Sequence, residues 1–158
     1  MSDKEPEHQS EAASDAGAVT AEAAEHWLYR LSPAQWLSAA DNELLASQQA
    51  FLVKQHRTAV THARRAAGMA LNAVLSLQFD ERYGRSYMDH LKALSQDAAV
   101  SAELRDAATR LLSLPIQSQL VTLGPKGDAK QAEPAALILG YARQQLAIAV
   151  AKAEPPKP

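Results

Sequence analysis

Cysteine is absent from the 158 residues, which excludes disulfides and thiolate metal sites. Aromatic residues make up only 5% of the chain, and alanine carries much of the 47% hydrophobic content. Alanine buries well but fills little volume, so closely packed helices are indicated and a sheet rich in Val, Ile and aromatics is not. No apolar run approaches the roughly 18–20 residues that cross a bilayer. The N-terminus is acidic where a secretory signal needs a basic start. A soluble, cytoplasmic, single-domain protein without a membrane partner is expected at this length.

Charge of neither sign dominates the total, which is −2, but it is unevenly placed. Residues 1–25 hold seven acids against Lys4, a net −6, whereas residues 54–92 hold seven cations against three acids, a net +4. An acidic tail therefore precedes a mildly basic middle.

Residues 1–20 are polar and lack large apolar groups, so they are expected to be disordered. The segment "TAEAAEHWLYRL" predicts a short helix that lays Trp27 and Leu28 on the domain. Ser32, Pro33 and Gln35 form a capping box with proline in the first turn. Leu37, Ala40, Leu44, Leu45, Phe51 and Leu52 then recur at helical spacing. A second helix is predicted from Arg57 to Leu77, with Val60, Ala63, Ala67, Ala70, Leu71, Val74 and Leu75 on one face. His62, Arg64, Arg65 and Asn72 fall on its other face.

Ser86 and Asp89 cap a third helix, with Met88, Leu91 and Leu94 turned inward. Ser101 opens a fourth, with Leu104, Ala108, Leu111 and Leu112, which stops before Pro115. The loop "TLGPKGDAKQAEP" follows, and Pro134 starts a last helix, apolar nearly all round and so expected at the centre. The fold class is all-α: an antiparallel up-and-down bundle of four to five helices over residues 21–152, with a flexible tail at 153–158.

Chemistry-bearing motifs are few. The only Glu-x-x-His spacing is Glu5–His8, and His-x-x-x-His is absent, so no metal is expected. There is no G-x-S-x-G elbow, and "LGPKGDAK" lacks the spacing of a phosphate loop. No cofactor is expected. The segment "RYGRSYMDHL" does place Arg85 ahead of His90. A neutral histidine can take the proton of an RNA 2′-hydroxyl, and an arginine can stabilise the phosphorane, with no metal. The same spacing recurs at Arg57 and His62, about the frequency that chance supplies. The plain alternative for His90 is a residue at a helix start, bonded to a neighbour.

Three segments read in order, "AVTHARRAAGMALNAVLSLQ", "GRSYMDHLKAL" and "AALILGYARQQLAIAVAKA", resemble successive helices of HEPN domains. The resemblance covers roughly residues 33–152. It implies a bundle of four or five helices, commonly dimeric. Some members are metal-free toxin ribonucleases using an arginine and a histidine; others are inactive nucleotide-binding or scaffolding modules. Carried over, the motif positions are Arg85 and His90, with Asp89 as the polar neighbour. The first expectation is a non-catalytic, dimeric, nucleotide- or nucleic-acid-associated binding module whose contact face is Lys54, Arg57, Arg64, Arg65 and Arg82. The alternatives are a toxin-type endoribonuclease, with an antitoxin-like protein partner, and a purely structural interaction protein.

Overall fold

The computed structural model describes residues 27–115 and 127–155. The chain divides into two compact units, Met1–Arg30 and Leu31–Pro158. In the first, Leu28–Arg30 is a single 3-10 turn; the acidic tail and most of the short helix expected there lie outside the described residues. In the second, five α-helices follow one another and no strand occurs among the described residues, so the fold is an all-α bundle. They are α1 (Pro33–Leu52), α2 (His56–Leu77), α3 (Tyr87–Gln96), α4 (Ala102–Ser113) and α5 (Glu133–Ala153). Most of the Gly- and Pro-rich loop before α5, and residues 156–158, fall outside the described residues.

The capping chemistry is where the sequence puts it. Ser32 accepts the Gln35 N–H while the Gln35 side chain accepts the Ser32 N–H. Ser86 and Asp89 close the same reciprocal box on α3, and Ser101 caps α4. Each such cap contributes about 1 kcal/mol by satisfying donors that the first turn leaves open.

Helix α2 is the central element. It buries eleven residues, six of them alanine, and the small side chains let its neighbours approach closely. Helix α1 lies antiparallel to it, pinned where Ser47 Oγ donates to the Ala59 carbonyl at 2.8 Å inside the core. The placement expected for α5 is corrected here. Its buried residues are Pro134, Ala135, Ile138, Leu139 and Ala142. Beyond Arg143 no residue is buried, and Ile148 and Val150 are 46% and 52% exposed. An all-round apolar pattern shows only that a helix can be buried; here the neighbouring helices cover its first half alone. Helix α5 runs antiparallel to α1, with Arg143 paired to Asp41. Ala132, which immediately precedes α5, packs with Phe51 and Val60.

Close approach fixes the joint between α2 and α3. A Cβ built on Gly68 would sit 2.1 Å from Cδ1 of Tyr87, so the tyrosine ring occupies the space that only glycine leaves. One turn further on, Asn72 meets His90.

Candidate functional site

The segment "RYGRSYMDHL" folds as a turn and a helix start. Asp80 caps the 3-10 turn Glu81–Tyr83, and Gly84 follows at φ +63°, a conformation that side chains rarely adopt. Ser86 then opens α3. Arg85 is exposed, whereas His90 is fully buried four residues into the helix. The two side chains do not converge on an open cleft. Asp89 is committed to the capping box.

Both ring nitrogens of His90 are engaged. Nδ1 lies 2.6 Å from the Tyr83 carbonyl and donates to it; Nε2 lies 2.7 Å from the Asn72 side-chain oxygen. Burial is the main influence on this imidazole and pushes its pKa below the usual histidine value, against the opposing pull of the Tyr83 carbonyl and Asp89. A half-turn of the Asn72 amide presents its N–H to the neutral ring, the arrangement that burial favours. The Tyr87 ring meets the imidazole edge-on at 6.3 Å. This histidine joins α2, α3 and the turn before α3.

Asn72 was expected on the polar face of α2 and is buried instead. A signal for the pair was present: each is a polar residue beside a leucine that proves buried, Leu71 and Leu91. Nothing in one chain's periodicity says that two such positions will meet.

The five expected contact cations do not form one surface. Lys54 lies in the turn between α1 and α2, at φ 60°, and Arg57 is exposed in the first turn of α2. Two turns on, Arg64 folds over the end of α4, where Nε donates to the Leu111 carbonyl at 2.9 Å and Nη2 donates to Leu112 and Leu114. Burial lowers the pKa of this guanidinium, yet it caps three carbonyls at the negative end of a helix dipole. Arg65 pairs with Glu43 at 3.1 Å and stays 45% exposed; Glu43 also holds His62 at 2.5 Å. Arg82 pairs with Asp80 at 2.6 Å and follows the far end of α2. At 1.5 Å per residue, the length of α2 from Arg57 to Leu77 is about 30 Å.

That far end borders a cleft of about 230 Å³ between α2, the Glu81–Tyr83 turn, the α3–α4 connection and α5. Leu71, Val74 and Leu75 form its apolar wall, and Phe79, Tyr83 and Tyr141 bring aromatic rings to it. The Tyr83 hydroxyl donates to Asp97 Oδ2 at 2.6 Å, while the Ala99 N–H donates to Asp97 Oδ1 at 2.9 Å. These bonds hold the Asp97 carboxyl below its ordinary pKa, the tyrosine hydroxyl contributing most. Tyr83 and Tyr141 are both pushed up, by burial first and then by Asp97. Leu71, Val74 and Leu75 were legible only as part of an apolar helix face, and Phe79, Tyr83, Asp97 and Tyr141 did not stand out in the sequence, since the lining comes from four separated segments.

Among the described residues no group of three or more His, Asp or Glu side chains could hold a metal ion, and no helix is long and apolar enough to cross a membrane. Comparison with protein-family models, with curated proteins and with solved structures finds no match to this chain.

Proposed function

We propose that this chain is a non-catalytic HEPN-like bundle that binds nucleic acid or a nucleotide and acts as a dimer. The observation that carries the reading is the charge of α2. Its 22 residues include three arginines and two histidines and no acid. Its N-terminus has neither a side-chain cap nor an acidic residue in the first turn, so its open N–H groups and dipole add to the field of Lys54 and Arg57. The contact surface is thus reduced to Lys54, Arg57 and Arg65, because Arg64 is committed to α4 and Arg82 follows the other end of the helix.

Fluorescence polarisation with a labelled single-stranded RNA tests this. With three phosphate contacts, log K falls against log salt with a slope of about −2, and Arg57→Ala reduces that slope by about 0.7. Affinity that is independent of salt and of Arg57 overturns the reading. The exposed Ile148 and Val150 on α5 support the dimer, which sedimentation equilibrium measures.

The burial of His90, with its nitrogens bonded to Tyr83 and Asn72, favours the non-catalytic form over the ribonuclease. Incubation of the protein with RNA in EDTA is expected to leave the RNA intact. Cleavage abolished by Arg85→Ala would reinstate the enzyme reading.

A further inference from the structure

The cleft beside Tyr83 and Tyr141 differs in chemistry from the basic end of α2. Of the charged groups lining it, Arg82 is bound to Asp80 through Nε and Nη2, so the two cancel and Asp97 is left as the net charge of −1. Asp97 spends one lone pair of each oxygen on Tyr83 and Ala99, and each oxygen retains a second acceptor site. Tyr141, Gln78 and Gln145 line the same cleft, and the Tyr141 hydroxyl and the two glutamine side-chain amides have no hydrogen-bond partner among the described residues. Aromatic rings present negative faces. Rings, carboxylate and apolar wall together select against an anion and for a positive charge attached to an apolar body.

We propose that this cleft is a binding site for a small organic cation, a protonated amine bearing one apolar ring, with the ammonium at Asp97 and the ring against Leu71, Val74 and Tyr141. The volume, about 230 Å³, exceeds the roughly 150 Å³ of an apolar cavity that holds benzene, which leaves room for one ring and a short arm. Burial first and then the negative field of Asp97 raise the pKa of Tyr83 and Tyr141; the same field favours an ammonium and opposes a carboxylate or phosphate in a ligand. The site is distinct from the nucleic-acid surface: along α2, Val74 lies about 14 Å from Arg65 and about 25 Å from Arg57.

Isothermal titration of the full chain at pH 7 with 2-phenylethylamine, 2-phenylethanol and phenylacetate compares one apolar ring carrying a cationic, a neutral and an anionic head. The amine is expected to bind at least tenfold more tightly than the alcohol, and the acid least. Asp97→Asn, which can still accept from Tyr83, is expected to abolish the preference for the amine, and Tyr141→Ala to weaken the amine tenfold or more. Equal affinity for amine and alcohol overturns the proposal, as does no binding by any of the three. If Asp97→Asn does not fold, Tyr141→Ala decides: amine affinity unchanged in that variant overturns it.

Discussion

The two halves of α2 are built from one helix and do opposite things. From His56 to Arg65 every charged side chain is cationic; from Ala66 to Leu77 there is no charge, and most of the residues are buried. The first half touches Glu43 and the end of α4 through side chains that reach outward. The second half is held by close backbone approach at Gly68 and by a buried polar pair, Asn72 and His90. Charge at the exposed positions of the first half, Arg57 and Arg65, is therefore replaceable, because water solvates what a partner loses. In the second half a lost partner leaves a buried group unsatisfied.

The sharpest way to break this contrast is at His90. His90→Ala is expected to cost about 3 kcal/mol in urea unfolding, since it opens a cavity and strands both the Asn72 amide and the Tyr83 carbonyl. A loss near zero would mean that the buried half tolerates an orphaned polar group and that His90 is free for other work. Gly68→Ala comes next, at about 2 kcal/mol, because its new methyl enters the Tyr87 ring and that ring is wedged between α2 and α3. Thermal denaturation measures it, and Gly68→Ala combined with Tyr87→Ala should recover part of the loss.

In the first half, Arg64 and Arg57 form a matched pair two turns apart. Arg64→Ala should lower stability by about 1 kcal/mol, through the lost capping of α4, and leave RNA affinity little changed. Arg57→Ala should do the reverse. Identical behaviour of the two variants would show that Arg64 leaves α4 to join the contact surface.

The smallest effect is in pH. Burial lowers the His90 pKa, so near pH 6 the unfolded chain holds more protons at this position than the folded one. The contribution of His90 is complete above its unfolded value of about 6.5 and declines as pH falls toward the folded value. Urea midpoints from pH 8 down to pH 5 should fall on this account, and more steeply than in His90→Gln.

Local chemistry was legible from the chain alone. The capping boxes at Ser32 and Ser86, the cap at Ser101 and the apolar stripe of α2 each depend on residues within a few positions of one another, where spacing and structure are the same information. The role of Arg64 was not legible. Seen in sequence it stands beside Arg65 as one of two exposed cations, and only the arrival of Leu111 to Leu114 from another helix turns it into a cap. The spacing of Arg85 and His90 was equally silent about burial, because residues five positions apart on a helix start face different surroundings.

By itself, then, the sequence determined an all-α chain with its helix boundaries, its absence of cysteine chemistry and its division into acidic and basic segments. Tertiary structure alone decided which polar residues meet, that α2 and not α5 lies at the centre, and that Tyr83, Asp97 and Tyr141 line one cleft. The physical reason is range. Caps and periodicity are set by neighbours along the backbone, whereas burial and hydrogen-bond partnership depend on how five helices divide a limited apolar surface among themselves.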